Sequence, residues 1–482
     1  MAFSDQVAMT IGERAVAGRE RLPVVNPATG AVFTSVPDCT MAELDEAVKA
    51  AREAQASWAQ TPIEKRRQAL LAVAGALSEN AQALAHELTL EQGKPFQDAL
   101  MEVYGAAFWM AETTKLDLPE HVTEDSEERL AVTKRRPVGV VAALVPWNYP
   151  ILLAAFKLAP ALLAGNTVVL KPAPTTPTTP LTTLRVGEIL RGVLPPGALN
   201  VVSGGDRLGP WMTAHAGFDK ISFTGSTQTG RRVMESAAAA LKRVTLELGG
   251  NDAAIVLPDI DVAAMAEPLF WAAFKNSGQI CIAAKRFYIH KDVHEPVKNA
   301  LMNYAKSVRI GDGLEQGSQI GPVQNKAQYE RIRSLVEDAE ASGAKVSRFG
   351  ETPQGDGYFL PITFVEDAKE KSRVVREEQF GPVLPLIRVE SADEAIARAN
   401  DSEYGLGASI WTSHIESAQT LAERLNAGTV WINESQHLSP HAAFGGWKQS
   451  GLGVEGGIEG LAEFTQAQTV FVRRKQAAPA QG

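Results

Sequence analysis

The chain is poor in cysteine: Cys39 and Cys281 are the only two among 482 residues. Two cysteines build neither a disulfide framework nor a four-cysteine zinc site, and a bridge between them would close most of the chain into one loop. A reducing, cytoplasmic setting is the expectation. Long apolar runs are missing as well. The most apolar stretch, 151–163, is broken by Lys157 and Pro160 and falls short of the ~18–20 residues that span a bilayer. The first twenty residues lack the basic-then-apolar pattern of an export signal, so no membrane partner is expected. Positive charge is in deficit, with 47 lysines and arginines against 56 acidic residues and a net charge of −9. The basic clusters Lys134-Arg135-Arg136 and Arg473-Arg474-Lys475 are short, and nucleic acid is not an expected partner. The histidines (86, 121, 215, 290, 294, 414, 437 and 441) show no HExxH or other ligand spacing, so no metal is expected.

What is present is a globular balance, 45% apolar and 21% charged, with length for about two to four domains. Residues 40–115 read as helical. Thr40 is placed to cap the first helix, with Glu43 closing a capping box, and Leu44, Val48 and Ala51 follow at helical spacing. A second helix is expected to use Thr61 as its cap and Pro62 as its first residue, with Leu70, Val73, Ala74 and Leu77 as its apolar stripe. Gly93 and Pro95 mark a helix end.

From Pro137 the pattern alternates. Strand-like runs at 138–145, 167–170, 199–202, 221–224 and 244–246 are separated by helical stretches at 152–163, 180–191, 211–216 and 229–241. Four strand–helix–strand crossovers imply a mostly parallel sheet covered on both faces. Its ligands should bind beyond the carboxyl ends of the strands, at 146–150, 171–174, 203–206, 225–230 and 247–251. A second pattern places helices at 262–276, 293–308, 392–400 and 415–426 among strands at 286–290, 383–389, 407–411 and 429–432. The expected fold class is α/β, with two Rossmann-like doubly wound domains around a cleft. Segments 121–136 and 467–474 fit neither domain and read as exposed β segments in need of pairing. Residues 476–482 are expected to fray.

Three features could carry chemistry. Gly225-Ser226-Thr227-Gln228-Thr229-Gly230 follows a strand and opens a helix, where glycines let backbone N–H groups approach a phosphate. Its spacing is not GxGxxG and no Lys-Ser/Thr follows, so a ligand-free tight turn explains it equally well. Cys281 closes the turn Ser277-Gly278-Gln279-Ile280-Cys281, as a nucleophile or as the commoner buried, inert thiol. Glu247, at a strand end before Leu248-Gly249-Gly250, is placed for general-base work or for an ordinary cap or ion pair.

Taken together and in order, eight segments resemble the aldehyde dehydrogenase superfamily over nearly the whole chain. They are Pro146-Trp147-Asn148-Tyr149-Pro150, Ala164-Gly165-Asn166-Thr167 running to Lys171-Pro172-Ala173, Phe223-Thr224-Gly225-Ser226, Leu246-Glu247-Leu248-Gly249-Gly250 and Gly278-Gln279-Ile280-Cys281. Glu378-Gln379-Phe380-Gly381-Pro382-Val383, Asn426-Ala427-Gly428-Thr429-Val430 and Phe444-Gly445-Gly446-Trp447-Lys448-Gln449-Ser450-Gly451 complete the set. The resemblance implies NAD(P)-dependent oxidation of an aldehyde to the free acid. It assigns Cys281 as the nucleophile that forms a thiohemiacetal and then a thioester. Asn148 and the Cys281 backbone N–H become the oxyanion donors, and Glu247 the base that activates the hydrolytic water. Relatives that pass the thioester to coenzyme A generally lack that glutamate.

For the cofactor, the resemblance implies Lys171 at the adenine-side ribose, Trp147 and Ser226 near the pyrophosphate, Glu378 at the nicotinamide ribose and Phe380 near the nicotinamide. Gly225 and Leu248 are further contacts. Pro174 stands where many NAD-preferring members hold the ribose hydroxyls with glutamate. NAD is expected, and NADP is the second candidate, since no carboxylate at 174 repels a 2′-phosphate; no basic residue adjoins Lys171 in sequence to attract one. The resemblance also implies a cofactor-binding domain (1–120, 138–247 and 440–462), a catalytic domain (248–439) and a small β oligomerisation element (121–137 and 463–482) that assembles a homodimer or homotetramer. By position, Tyr104, Phe108, Tyr149, Phe156, His437 and Leu438 are candidates for the aldehyde tunnel, with Tyr104 and Phe108 equally at home in the core. This aromatic and apolar set, without an arginine for a second carboxylate, favours a medium-chain aliphatic or aromatic aldehyde over a semialdehyde. A catalytically silent binding protein of the same fold is the alternative from another class.

Overall fold

A computed structural model describes residues 3, 4, 6–174 and 179–474; the fraying expected at 476–482 lies outside the described residues. The alternation after Pro137 is an eight-stranded sheet. Its order is Arg14–Val16, Met9–Ile11, Leu199–Val201, Thr167–Lys171, Val140–Leu144, Lys220–Thr224, Arg243–Glu247 and Gly451–Leu452. The five strands from Leu199–Val201 to Arg243–Glu247 are parallel. Runs such as VVAAL and TVVLK are buried throughout, because helices cover both faces and no polar alternation survives. The chain moves outward from Val140–Leu144 in one direction and then returns to its other side. That reversal puts a switch point between Val140–Leu144 and Lys220–Thr224, where the following loops diverge and open a crevice.

The second sheet has seven strands, ordered Lys345–Phe349, Ile362–Glu366, Val383–Val389, Ala284–His290, Asp252–Val256, Gly407–Trp411 and Thr429–Ile432. All its pairings are parallel except the first. Its inner strand Asp252–Val256 is absent from the sequence reading. An aspartate and two alanines have little β-propensity, and complete burial between neighbours holds them extended. No strand was expected before residue 40 either, yet Met9–Ile11 extends the first sheet and Arg21–Val25 forms a hairpin with Val32–Pro37. The two unplaced segments form a third sheet of His121–Asp125, Arg129–Pro137 and Thr465–Arg473. Val470, Phe471 and Val472 are exposed along its last strand.

Helix Met41–Trp58 carries the expected Thr40/Glu43 capping box, and Gly93 ends Ala81–Gln92 at φ 93°. The second helix differs. It spans Ile63–Glu79 with Pro62 in the cap position and no side-chain cap, while the Thr61 hydroxyl donates one turn back to the Ser57 carbonyl. Pro150–Leu163 and Pro180–Leu190 both begin with proline and lack a capping side chain of their own. Remote glutamates serve them instead. Glu102 accepts from the N–H groups of Ile151 and Leu152 at 2.9 and 3.3 Å, and Glu91 from those of Leu181 and Thr182 at 2.8 and 2.9 Å. An unsatisfied buried donor would cost ~1–3 kcal/mol, so these two carboxyls stabilise both helix ends.

Candidate active site

Three loops meet at the crevice. The strand Val140–Leu144 leads into Trp147 and Asn148, Arg243–Glu247 ends on Glu247, and the short 3₁₀ turn Lys275–Gly278 leads into Cys281. That turn contains three successive left-handed residues, Asn276, Ser277 and Gly278, at φ 51°, 58° and 71°. A Cβ at Gly278 would collide with the Gly381 carbonyl, so glycine is required there. The two non-glycine residues are held by their own side chains. Ser277 Oγ donates to the Gly321 carbonyl at 2.8 Å, and Asn276 Nδ2 donates to that of Asn148 at 3.3 Å.

Cys281 is half-buried. Lys285 Nζ donates to the carbonyls of Ile280 and Cys281 at 2.8 and 2.7 Å, and lies 3.7 Å from Glu378. Burial pushes the Cys281 thiol up to about 12; Lys285 opposes this, while Glu378, Asp252 and Glu247 add to it. The resting thiol is therefore protonated at neutral pH. Iodoacetamide alkylation of the unliganded protein should accelerate about tenfold per pH unit from pH 7 to 10 without levelling off, since only the thiolate reacts. A plateau below pH 8.5 would show that the thiol is acidic instead.

Glu247 is 3% exposed, and neither of its carboxyl oxygens has a hydrogen-bond partner among the described residues. Burial raises it well above the usual carboxyl range, with Glu455 adding and Lys157 opposing. Lys157 Nζ is itself held by Glu455 at 2.6 Å and donates to Ser222 Oγ at 3.2 Å. An unpartnered buried carboxyl is rare in a folded protein and marks a functional group. Asn148 is buried, and its Nδ2 donates to the Gln279 carbonyl at 2.9 Å. One N–H thus anchors the carboxamide and leaves the second for another acceptor.

Cys281 and Asn148 line a cavity of about 590 Å³ together with Tyr149, Phe156, His437 and Leu438. Phe156 is stacked on Trp109 at 3.7 Å. Tyr104 and Phe108 are not part of it and lie 42% and 56% exposed. They share a face of helix Phe96–Thr113 with Met101, which does line the cavity. At 1.5 Å per residue they stand roughly 4.5 and 10 Å further along the helix, past the rim. The wall also takes Leu152, Leu153, Trp271 and Phe444, none of which the sequence reading assigned to the aldehyde tunnel.

A second cavity, of about 710 Å³, lies at the carboxyl ends of the first sheet and is lined by Trp147, Lys171, Pro174, Gly225, Ser226 and Arg232 among others. Ser226 caps helix Thr227–Ala238, its Oγ accepting from the Thr229 N–H at 3.3 Å, so the N-terminal end of that helix lies at this space. Lys171 is buried and makes no ion pair among the described residues, its Nζ donating to the Pro172 carbonyl at 2.8 Å; burial lowers it to about 8. Arg232 is a basic residue on the same cavity wall as Lys171 that sequence adjacency does not reveal. Cys39 is buried rather than set among polar N-terminal residues, and burial lifts its thiol to about 12. Leu248 does not line the cavity; it packs under the helix start, where a Cβ on Gly230 would meet its side chain.

Glu378 accepts from the Gly250 N–H at 3.1 Å. A Cβ at Gly249 would strike its carboxylate, and one at Gly250 would stand 2.7 Å from the Cys281 carbonyl. The glycine pair thus lets the backbone pass between these two groups. Phe380, at φ 51°, meets Trp147 edge-on at 5.3 Å. A helix N-terminus, a buried free lysine and a carboxylate kept reachable by glycine fit a dinucleotide.

The family model described as the aldehyde dehydrogenase family matches residues 15–470. The chain belongs to this family. A probable aldehyde dehydrogenase from Pseudomonas sp is 44% identical over 97% of this chain and 95% of its own length. The phenylacetaldehyde dehydrogenase of Pseudomonas fluorescens is 40% identical over 94% and 92%. Among solved structures, betaine aldehyde dehydrogenase from Staphylococcus aureus in complex with NAD+ superposes with a TM-score of 0.94 at 31% identity, covering 99% of this chain and 97% of that one. Membership makes the chain an oxidoreductase of the aldehyde dehydrogenase kind. Of the residues missed in sequence, Lys157 had a visible signal, a single charge inside an apolar helix. Arg232 and Trp271 had none, because docking brings them to the site, whereas Lys285 stands four residues after Cys281 and bonds back within the same turn.

Proposed function

We propose that Cys281, Asn148 and Glu247 oxidise an uncharged aldehyde to the free carboxylic acid, with NAD as cofactor and NADP accommodated. The observation that carries this reading is the thiol and the anchored carboxamide sharing one apolar cavity. Glu247 lies near enough to influence the thiol. Cys281 Sγ loses its proton to water and adds to the aldehyde carbonyl carbon, the C=O π pair moving onto the oxygen. The resulting oxyanion accepts from the second Asn148 N–H and the Cys281 backbone N–H, each such donor supplying ~3–4 kcal/mol. The nicotinamide, when bound, accepts hydride and so allows a thioester to form on Cys281. Glu247 then takes a proton from water as the water adds to the thioester carbonyl; the C–S bond breaks and the acid leaves. Its raised proton affinity suits that step near neutral pH.

Lys171, Ser226, Trp147, Glu378 and Phe380 would hold the dinucleotide. Pro174 presents no carboxylate to a 2′-phosphate, and Arg232 lines the same cavity, which supports acceptance of NADP. For the substrate, the cation Lys275 on the cavity wall is met by Asp98 at 3.9 Å, and Glu434 stands nearby. A second carboxylate would find no free positive partner there. Medium-chain aliphatic or aromatic aldehydes fit this wall better. With NAD and NADP in parallel, hexanal and phenylacetaldehyde should exceed succinic semialdehyde in kcat/KM by at least about tenfold. Comparable values for all three would refute the substrate assignment. Assembly into a homodimer or homotetramer through 121–137 and the strand Thr465–Arg473 belongs to the same proposal, motivated by the exposed Val470, Phe471 and Val472.

A further inference from the structure

We infer that Lys94 and Glu102 form a buried strap that aims the Asn148 carboxamide at Cys281, a positioning role that rests on the oxyanion reading above. Both side chains are wholly buried, with Lys94 Nζ 2.6 Å from Glu102 Oε2. Each is also tied to the loop that carries Asn148. Lys94 Nζ donates to the Asn148 main-chain carbonyl at 2.8 Å and sits 3.6 Å above the Tyr149 ring. Glu102 Oε1 takes the N–H groups of Ile151 and Leu152. Residues 148–152 are therefore held at both ends by one ion pair, and all three N–H directions of the Lys94 ammonium are used.

The same turn is fixed to the nucleophile's side of the crevice. The Phe96 N–H donates to the Gly313 carbonyl at 2.9 Å, and Gln324 Nε2 donates to the Glu91 carbonyl at 3.0 Å. Gly321 lies so close that a Cβ there would collide with the Gly93 carbonyl, and the Gly321 carbonyl in turn accepts from Ser277 in the Cys281 turn. The oxyanion loop and the nucleophile turn thus share one reference, Gly93-Lys94-Pro95. A buried ion pair is a poor source of stability compared with apolar packing. Here it fixes the distance between two groups from different sheets, where an error of about 1 Å costs ~100-fold in rate.

The test uses full-length Lys94→Met and Glu102→Gln, each alone and combined with Asn148→Ala. Two rates are read: the aldehyde-dependent NADH burst, and alkylation of Cys281 by iodoacetamide, which displaces iodide and forms no oxyanion. Each strap variant should slow the burst roughly 10–100-fold and leave alkylation within about twofold of the parent. In the Asn148→Ala background the same substitutions should add less than about twofold, because their effect passes through Asn148. Alkylation falling in step with the burst, or losses that multiply in the Asn148→Ala background, would overturn the positioning role. If Lys94→Met fails to fold because it strands the Glu102 charge, Glu102→Gln and the double variant Lys94→Met/Glu102→Gln decide by the same criteria. Failure of the oxyanion reading shows separately, as an unchanged burst in Asn148→Ala alone.

Discussion

Cys281→Ala should lower aldehyde-dependent NADH formation by at least about 10⁴-fold, the scale on which removal of a covalent nucleophile acts. Dinucleotide binding should survive. Among the described residues, the Cys281 hydrogen bond to Lys285 runs through its main-chain carbonyl, which remains in the variant. Titration of tryptophan fluorescence with NAD therefore separates the two functions, with Trp147 as a reporter on the cavity wall. Residual turnover within tenfold of the parent would mean that the aldehyde is oxidised without a thioester, and the mechanism proposed above would fall.

Glu247→Gln should act at a different stage. The amide is nearly isosteric with the carboxyl, and Glu247 has no side-chain hydrogen bond among the described residues to lose, so the melting temperature should move by no more than a few degrees. Acylation should persist as a burst near one NADH per Cys281, while steady turnover falls about 10²–10⁴-fold for want of a proton acceptor. Stopped-flow absorbance resolves the two phases. If the burst vanishes along with turnover, Glu247 is needed earlier, to take the thiol proton. If neither changes, another group activates the water, and the Lys157–Glu455 pair becomes the place to look.

The parts of the site that could be read in the sequence are those placed by backbone grammar. Lys171 and Glu247 end strands of the first sheet and Asn148 and Ser226 follow others, and once the crossovers were recognised their location at its carboxyl edge followed. Cys281 stood out because so few cysteines compete with it. The parts that stayed hidden depend on docking. Tyr104 and Phe108 share a helix face with Met101, yet only tertiary packing decides how far along that helix the cavity extends. Asp252–Val256 is a strand because of its neighbours. Arg232 joins Lys171 in lining one cavity only when its helix settles beside the crevice, and no spacing in the chain announces that.

The borrowed caps of Pro150–Leu163 and Pro180–Leu190 bear on the order in which the molecule is made. Their carboxyls arrive from segments synthesised earlier, Glu102 from 49 and 50 positions upstream and Glu91 from 90 and 91. Until the helices Ala81–Gln92 and Phe96–Thr113 lie against the first sheet, both proline-led helices have frayed starts, and the loop bearing Asn148 has no fixed direction. Closing such long intervals costs chain entropy before any contact repays it. The crevice should therefore be among the last regions to become rigid during folding. Until then, a nascent chain carries Cys281 without the settled Asn148 loop that the proposed capture of an aldehyde requires.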